Sequence, residues 1–241
     1  MKNIDKIEEL KNIISSSNNI VVFGGAGVST ASGIPDFRGA SGLYNYTPEE
    51  VISKNFFFKH NKEFYDFYSK KLVYKNAKPN LCHFFCKKLE DDGKLKAIIT
   101  QNIDGLHQKA GSKKVIELHG STERNYCTKC GKFYKLEDVD FINPYCKVCG
   151  GLIKPDVVLY GENLDNLLIE KAIKSIELAD TLLIIGTSLV VNPAASLIKF
   201  FKGKKMVLIN YTKTPYDTMA DLVINDDIIN VIEKLNELGD Y

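Results

Sequence analysis

Arginine is almost missing from this 241-residue chain: Arg38 and Arg124 are the only two, against 32 basic residues in all. In a Lys-rich chain, a guanidinium at just two places points to geometry that an ammonium does not supply. Arg124 has no contact assigned from the sequence. Long apolar runs are missing as well, none reaching the roughly 18 residues of a membrane span, so no membrane partner is expected. The opening stretch, MKNIDKIEELKNIISSS, is charged and helix-patterned, with no apolar core or small-residue cleavage site. It does not read as a secretory signal, and a cytoplasmic location is expected. Large net charge is missing too. The formal value of +2 argues against a constitutive nucleic-acid binder. No internal repeat occurs, and Ser15-Ser16-Ser17 is the sole low-complexity tract. What is present excludes a disordered chain: 44% hydrophobic residues, with 13 Phe and 12 Tyr, over a length ample for a buried core.

Apolar periodicity predicts an amphipathic helix over residues 4–14, then a buried strand at 20–23 running into Gly24-Gly25-Ala26-Gly27. Similar apolar runs recur at 97–100, 115–118, 157–160, 181–185 and 206–209, with helical stretches at 80–90, 165–179, 193–201 and 227–238. Near-continuous apolar strands alternating with helices imply an α/β fold, a Rossmann-like parallel sheet covered by helices on both faces. Two stretches break the rhythm. Residues 43–78 are rich in aromatics and lysines and read as a helical insertion; the segment around Cys127 to Cys149 is rich in Cys, Gly and Lys. The expected division is a nucleotide-binding domain of residues 1–42, 79–122 and 154–241, and a small domain of 43–78 and 123–153.

Cys127-x2-Cys130 and Cys146-x2-Cys149 stand 15 residues apart, and Gly131 and Gly150 follow the two pairs. Four thiolates on two tight knuckles satisfy tetrahedral Zn²⁺ and leave no open coordination position, so the metal would be structural. Two disulfides are the alternative, disfavoured without a secretory signal. Cys82 and Cys86, at helical spacing, read as small core residues.

Gly25-x-Gly27 between a strand and a helix begins a dinucleotide-binding turn, where helix N–H groups can face a pyrophosphate. The usual third glycine is replaced by Thr30, and no acidic residue ends a second strand about 20 residues on, so a hydride-transferring Rossmann enzyme is not supported. The next residues are more specific: Gly33-Ile34-Pro35-Asp36-Phe37-Arg38-Gly39, then Thr100-Gln101-Asn102-Ile103-Asp104-Gly105-Leu106-His107 at a strand end. His119-Gly120 follows another strand. Gly186-Thr187-Ser188 and Leu208-Ile209-Asn210 end two more.

These pieces, with the four-cysteine site between them, resemble the sirtuin family of NAD-dependent protein lysine deacylases over residues 20–227, and the chain looks like a minimal, bacterial-type catalytic core. The resemblance implies that NAD is consumed as a co-substrate. The acyl-lysine oxygen attacks the nicotinamide ribose as nicotinamide leaves, and the products are free lysine and O-acyl-ADP-ribose. On that basis Gly25, Ala26, Gly27, Thr30 and Arg38 would line the diphosphate and ribose, and Phe37 would shield the reactive ribose face. Asp104 and Ile103 would form the nicotinamide pocket, with Gln101 and Asn102 holding the ribose and a water. His119 would be the general base toward a ribose hydroxyl, a task suited to imidazole. Gly186, Thr187, Ser188 and Asn210 would grip the adenosine end, with Asp227 and Ile228 near the adenine. His107 reads as a structural hydrogen-bonding residue, and His60 and His83 are given no role. Val157-Val158-Leu159-Tyr160 would pair with an acetyl-lysine peptide, the expected partner. The family's usual Arg just before this stretch is Lys154 here.

Family members that take succinyl or malonyl groups carry Tyr-x-x-Arg on the helical insertion. Here the matching piece is Tyr65-Asp66-Phe67-Tyr68, so neutral acyl groups are expected, because burying an unpaired carboxylate is costly. Protein mono-ADP-ribosyl transfer is the alternative activity. A zinc-ribbon module that only senses NAD is a third reading, which the set of Gln101, Asn102, Ile103, Asp104 and His119 disfavours.

Overall fold

The computed structural model describes residues 3–35 and 47–241. Its centre is a six-stranded parallel sheet of β1 (Ile20–Gly24), β2 (Leu95–Thr100), β3 (Val115–Glu117), β7 (Thr181–Ile185), β8 (Lys205–Ile209) and β9 (Leu222–Ile224), in the order β3-β2-β1-β7-β8-β9. Strands build outward from β1 in both directions, the doubly wound arrangement of nucleotide-binding folds. Buried strands of this kind are apolar throughout because successive side chains enter different cores. Ile20 and Val22 of β1 pack on one face with Ile98, Leu183 and Val207; Val21 and Phe23 pack on the other with Ile99, Leu182 and Leu208.

The first face is covered by α1 (Asn3–Ser16), α5 (Leu81–Asp91) and α8 (Ile228–Glu237). The second is covered by α7 (Asn166–Leu178) and a 3₁₀ segment, Ala194–Phe200. Side chains fix the helix starts by accepting otherwise unpaired N–H groups. Asn80 caps α5 (2.9 Å to Cys82 N) and Asp165 caps α7 (2.7 Å to Leu167 N).

A second, antiparallel sheet has the order β5-β4-β6, from β4 (Gly120–Cys127), β5 (Phe133–Lys135) and β6 (Ile153–Val157). The apolar run at 157–160 is therefore not itself the strand. The strand precedes it, and its period-2 burial of Ile153, Pro155 and Val157 is interrupted in sequence by a proline that an edge strand tolerates. Beside this sheet lie the short helices α2 (Pro48–Val51), α3 (Lys54–Lys59) and α4 (Asn61–Lys71). Phe57, Phe64, Tyr65 and Tyr68 form an aromatic core of their own with Phe141, Cys127 and Cys146 close by. Among the described residues, no helix is long and apolar enough to cross a membrane.

Candidate active site

In doubly wound sheets, chemistry gathers beyond the carboxyl ends of the strands, at the point where strand order reverses. That point here lies between β1 and β7, and the turns after β1, β2, β7 and β8 share its rim. The β1 and β7 turns interlock. Gly25 N–H donates to Ile185 O (3.2 Å) and Gly27 N–H to Gly186 O (2.8 Å). A Cβ on Gly25 would lie 2.7 Å from Thr187 Cβ, one on Gly27 2.7 Å from Gly186 Cα, and one on Gly186 2.6 Å from Val28 N. The close approach that these glycines permit is first of all that of one turn to the other. The chain leaves Gly25 as a seven-residue 3₁₀ helix, Ala26–Ser32. Ala26 is half-buried, and Thr30 is exposed with its hydroxyl on Gly27 O (3.0 Å).

Gln101 follows β2. Its N–H donates to Gly24 O (3.1 Å) and its Nε2 to Thr187 Oγ1 (3.2 Å). Thr187 Oγ1 also accepts Leu189 N–H (3.2 Å), and Leu189 sits at φ +57°, a left-handed backbone that branched residues rarely adopt. Ser188 beside it is half-buried.

The best-connected residue of the rim is Ser29, to which the sequence reading gave no role. Its buried hydroxyl donates to Asp104 Oδ2 (2.7 Å) and accepts from Asn102 Nδ2 (3.1 Å). Asp104 Oδ1 accepts Leu106 N–H (2.8 Å), which ties the carboxylate to the start of α6 (Leu106–Lys109). Ile103 O accepts both Thr122 N–H (2.8 Å) and Thr122 Oγ1–H (3.1 Å). The loop of Asn102, Ile103 and Asp104 is thus pinned from both sides.

His119 is half-buried just beyond β3, with Nδ1 2.9 Å from Gln101 O. With that nitrogen donating, Nε2 carries the free lone pair. Burial lowers the imidazole pKa below its ordinary 6.5, and the Gln101 carbonyl offsets part of this. Gly120 follows at φ +77°, and a Cβ there would lie 1.9 Å from Asp156 O, so only glycine fits. Val158 N–H donates to His119 O (3.0 Å). Of the 157–160 stretch, Val157 and Leu159 are buried, Val158 is half-buried and Tyr160 is exposed. Tyr160 is held by main-chain bonds to Ile52 O (3.0 Å) and from Lys54 N–H (2.9 Å).

On the far side of the rim, Asn210 is 8% exposed and its Nδ2 donates to Thr212 O (2.7 Å). Asp227 spends Oδ1 on the first turn of α8, accepting Ile229 N–H (2.8 Å) and Asn230 N–H (3.3 Å), and Ile228 is packed into the core. Both side chains thus have structural work. Phe37 and Arg38 lie outside the described residues.

The expected hydrogen-bonding role of His107 is corrected. Its ring is 2% exposed, and neither nitrogen has a partner among the described residues. It packs against His83, ring centroids 4.8 Å apart. His83 does have a task, its Nδ1 accepting Asn80 N–H (3.2 Å) in the cap of α5. Burial pushes the His83 pKa down to about 4 and that of His107 down to about 3.

The four cysteines converge. Cys127 and Cys149 Sγ are 3.4 Å apart, Cys130 and Cys146 3.7 Å, and all four lie within 4.8 Å of one another. Thiolates at about 2.3 Å from a tetrahedral zinc stand roughly 3.8 Å apart, so the sulfurs fit zinc and are too distant for disulfides. Gly131 and Gly150, at φ +71° and +68°, turn each knuckle as the sequence suggested. Lys129 N–H and Val148 N–H point at Cys127 and Cys146 Sγ (3.4 Å each), and Tyr134 Oη–H at Cys146 Sγ (3.1 Å). Such donors suit thiolate ligands.

The Sir2 family pattern matches residues 25–193, well over half the chain. The chain belongs to the Sir2 family. A Clostridium acetobutylicum relative named NAD-dependent protein deacetylase is 56% identical over 241 residues, covering 96% of this chain and 98% of its own. Among solved structures, a Sir2 variant with a deacetylated p53 peptide and 3′-O-acetyl-ADP-ribose matches at a TM-score of 0.89 and 41% identity, over 97% of this chain and 98% of its own. A Sir2 bound to a propionylated peptide matches at 0.87 and 40%, over 99% of each chain. The fold, the sirtuin resemblance and the four-cysteine cluster read from the sequence agree with this membership.

Proposed function

We propose that this Sir2-family protein is an NAD-dependent protein-lysine deacetylase that favours acetyl and other neutral acyl groups over succinyl. The observation that carries the reading is His119. It is a neutral imidazole with Nε2 uncommitted among the described residues, set on the same rim as Gln101, Asn102 and Asp104, and tied through its own carbonyl to the 157–160 stretch. The names and contents of the relatives agree: deacetylase, acylated peptide and O-acetyl-ADP-ribose.

NAD, when bound, supplies the ribose that accepts the acyl group. The donor set on the rim fits a dinucleotide. Gly25, Ala26, Gly27 and Thr30 would line the diphosphate, while Gly186, Thr187, Ser188 and Asn210 would hold the adenosine end. The Ser29-held Asp104 carboxylate accepts a carboxamide N–H, with Ile103 beside it, and Gln101 and Asn102 offer amides to ribose and water. His119 takes the proton of a ribose hydroxyl at Nε2. An acetyl-lysine peptide lies along Val157, Val158, Leu159 and Tyr160. Asp227 and Ile228 border the adenine by position, and the cysteine cluster holds zinc as a structural ion.

The acyl preference is supported by the helical insertion. Tyr65 and Tyr68 are fully buried in the aromatic core, the Tyr65 hydroxyl donating to Ile153 O. Lys70 pairs on an exposed face with Asp66 (2.5 Å). Lys70 is thus engaged away from the Tyr68 position, where the arginine that would meet an acidic acyl end is replaced by a buried tyrosine. The separate aromatic core also favours the two-domain division, with 43–78 and 123–153 as the small domain, and a cytoplasmic site of action is part of this reading.

The test is nicotinamide release by the purified protein with acetyl-lysine, succinyl-lysine or no peptide. Release that needs acetyl-peptide and yields free lysine is expected, with slower release on succinyl-peptide. Label from NAD retained on protein without free lysine would indicate ADP-ribosyl transfer instead and overturn the deacetylase reading. Faster desuccinylation would overturn the acyl preference.

A further inference from the structure

We propose that Arg124 is a positioning residue that sets His119 against the peptide-pairing stretch; the inference rests on the deacetylase reading above. It begins with an irregularity in β4. Ser121 faces Asp156 and Asn125 faces Pro155, so residues 122–124 are looped out of the β4–β6 ladder. Bulges re-aim side chains, frequently beside active sites. All three looped-out residues here reach the rim. Thr122 holds the Ile103 carbonyl, Glu123 pairs with Lys109 of α6 (2.7 Å), and Arg124 reaches two carboxylates on different strands. Its Nε–H donates to Asp156 Oδ2 and its Nη1–H to Glu117 Oε2, each at 2.7 Å.

These two acceptors bracket the site. Glu117 ends β3 two residues before His119, and Asp156 stands two residues before Val158, whose N–H holds the His119 carbonyl. The guanidinium closes a ring that runs through Glu117, His119, Val158 and Asp156. Contact inside the ring leaves no slack, since Gly120 abuts the Asp156 carbonyl too closely for any Cβ. A shift of β6 is thereby passed to His119. Two donors diverging from a rigid plane span both carboxylates at once, whereas a lysine presents one point charge. The Arg124 side chain is 37% exposed and that of Asp156 41%, so solvent screens this pair, while Glu117, 11% exposed, anchors the other arm more firmly.

The experiment compares full-length Arg124→Ala, Arg124→Lys and Glu117→Gln with the parent chain. Arg124→Ala is expected to raise the acetyl-peptide KM about tenfold with the NAD KM within about twofold. Arg124→Lys should recover part of the loss, and Glu117→Gln, which keeps an acceptor oxygen but removes the charge that strengthens one arm, should shift the peptide KM in the same direction by less than the alanine variant. Amide exchange should quicken at residues 117–122 and 156–160 with little change in melting temperature. Unchanged peptide KM and unchanged exchange in Arg124→Ala, or complete recovery by lysine, would overturn the assignment. Absence of peptide-dependent nicotinamide release by the parent chain would sink the deacetylase reading instead, and the exchange comparison would still decide whether Arg124 couples the two segments.

Discussion

Acidification should destabilise this protein through two residues that never meet solvent. His83 and His107 are buried against each other, with pKa values held at about 4 and about 3. In the unfolded chain both return to about 6.5, so between roughly pH 4 and 6.5 the unfolded chain binds more protons and stability rises with pH. The contribution is complete above that window. Within it, each histidine loses about 1.4 kcal/mol of stability per pH unit as the pH falls. From pH 7.5 to 5.0 that is about 2 kcal/mol each, or about 4 for the pair. A total stability of about 5–15 kcal/mol makes this a large fraction. With a urea m-value of about 3 kcal/mol/M, the midpoint should fall by about 1.3 M. Urea titrations at pH 7.5 and 5.0 read it directly. His107→Leu, which keeps the site apolar and filled, should lose about 2 kcal/mol of the parent's stability difference between the two pH values. The thiolates and His119 also respond to acid, but they are the same in both proteins and cancel in the comparison. A His107→Leu variant with the parent's full pH dependence would refute the reasoning.

Three further outcomes follow from the rim and the cysteine cluster. His119 must be unprotonated to accept a proton and titrates below 6.5, so kcat should stay flat down to that value and fall on a limb beneath it; a limb above 6.5 would contradict the buried imidazole. Gly120→Ala should reduce deacetylation by about a hundredfold or more, because the Cβ cannot be placed without moving Asp156 and with it the His119 tie; near-normal activity would show that the turn can open. The purified protein should hold about one zinc per chain, and a strong chelator should lower its melting temperature, since Cys127 and Cys146 belong to the same apolar core as Phe64 and Tyr65. Metal-free protein with an unchanged melting curve would count against a structural ion.

Much of the central sheet could be read in advance because β1, β7 and β8 are unbroken apolar runs whose alternate residues feed two cores. β9 was missed: Leu222–Ile224 is three residues long and follows a polar stretch, too short for any periodicity. Pro155 hid β6, although every second residue from Ile153 is buried. Motif residues such as Asp104 and His119 could be named from the sirtuin resemblance, but Ser29 was not, since its importance lies in touching Asn102 and Asp104, more than 70 residues away in the chain. Arg124 marked itself only by rarity. Its partners, Glu117 and Asp156, are ordinary acidic residues until the bulge in β4 brings one guanidinium between them.

The interlock of Gly25, Gly27 and Gly186 sets a limit on how this rim can change. A side chain at Gly27 or Gly186 would collide with main-chain atoms of the opposite turn at distances below 3 Å, whereas one at Gly25 would meet the Thr187 side chain first. A neighbouring substitution can shrink a side chain, but it cannot shorten a backbone. Second-site suppressors of a mutation at Gly27 or Gly186 should accordingly be absent from any selection, however large the library. Heritable variation in nucleotide handling is left to the side chains that stand on the interlocked turns and beside them, Thr30, Ser188 and Asn210 among them, while the floor beneath stays the same.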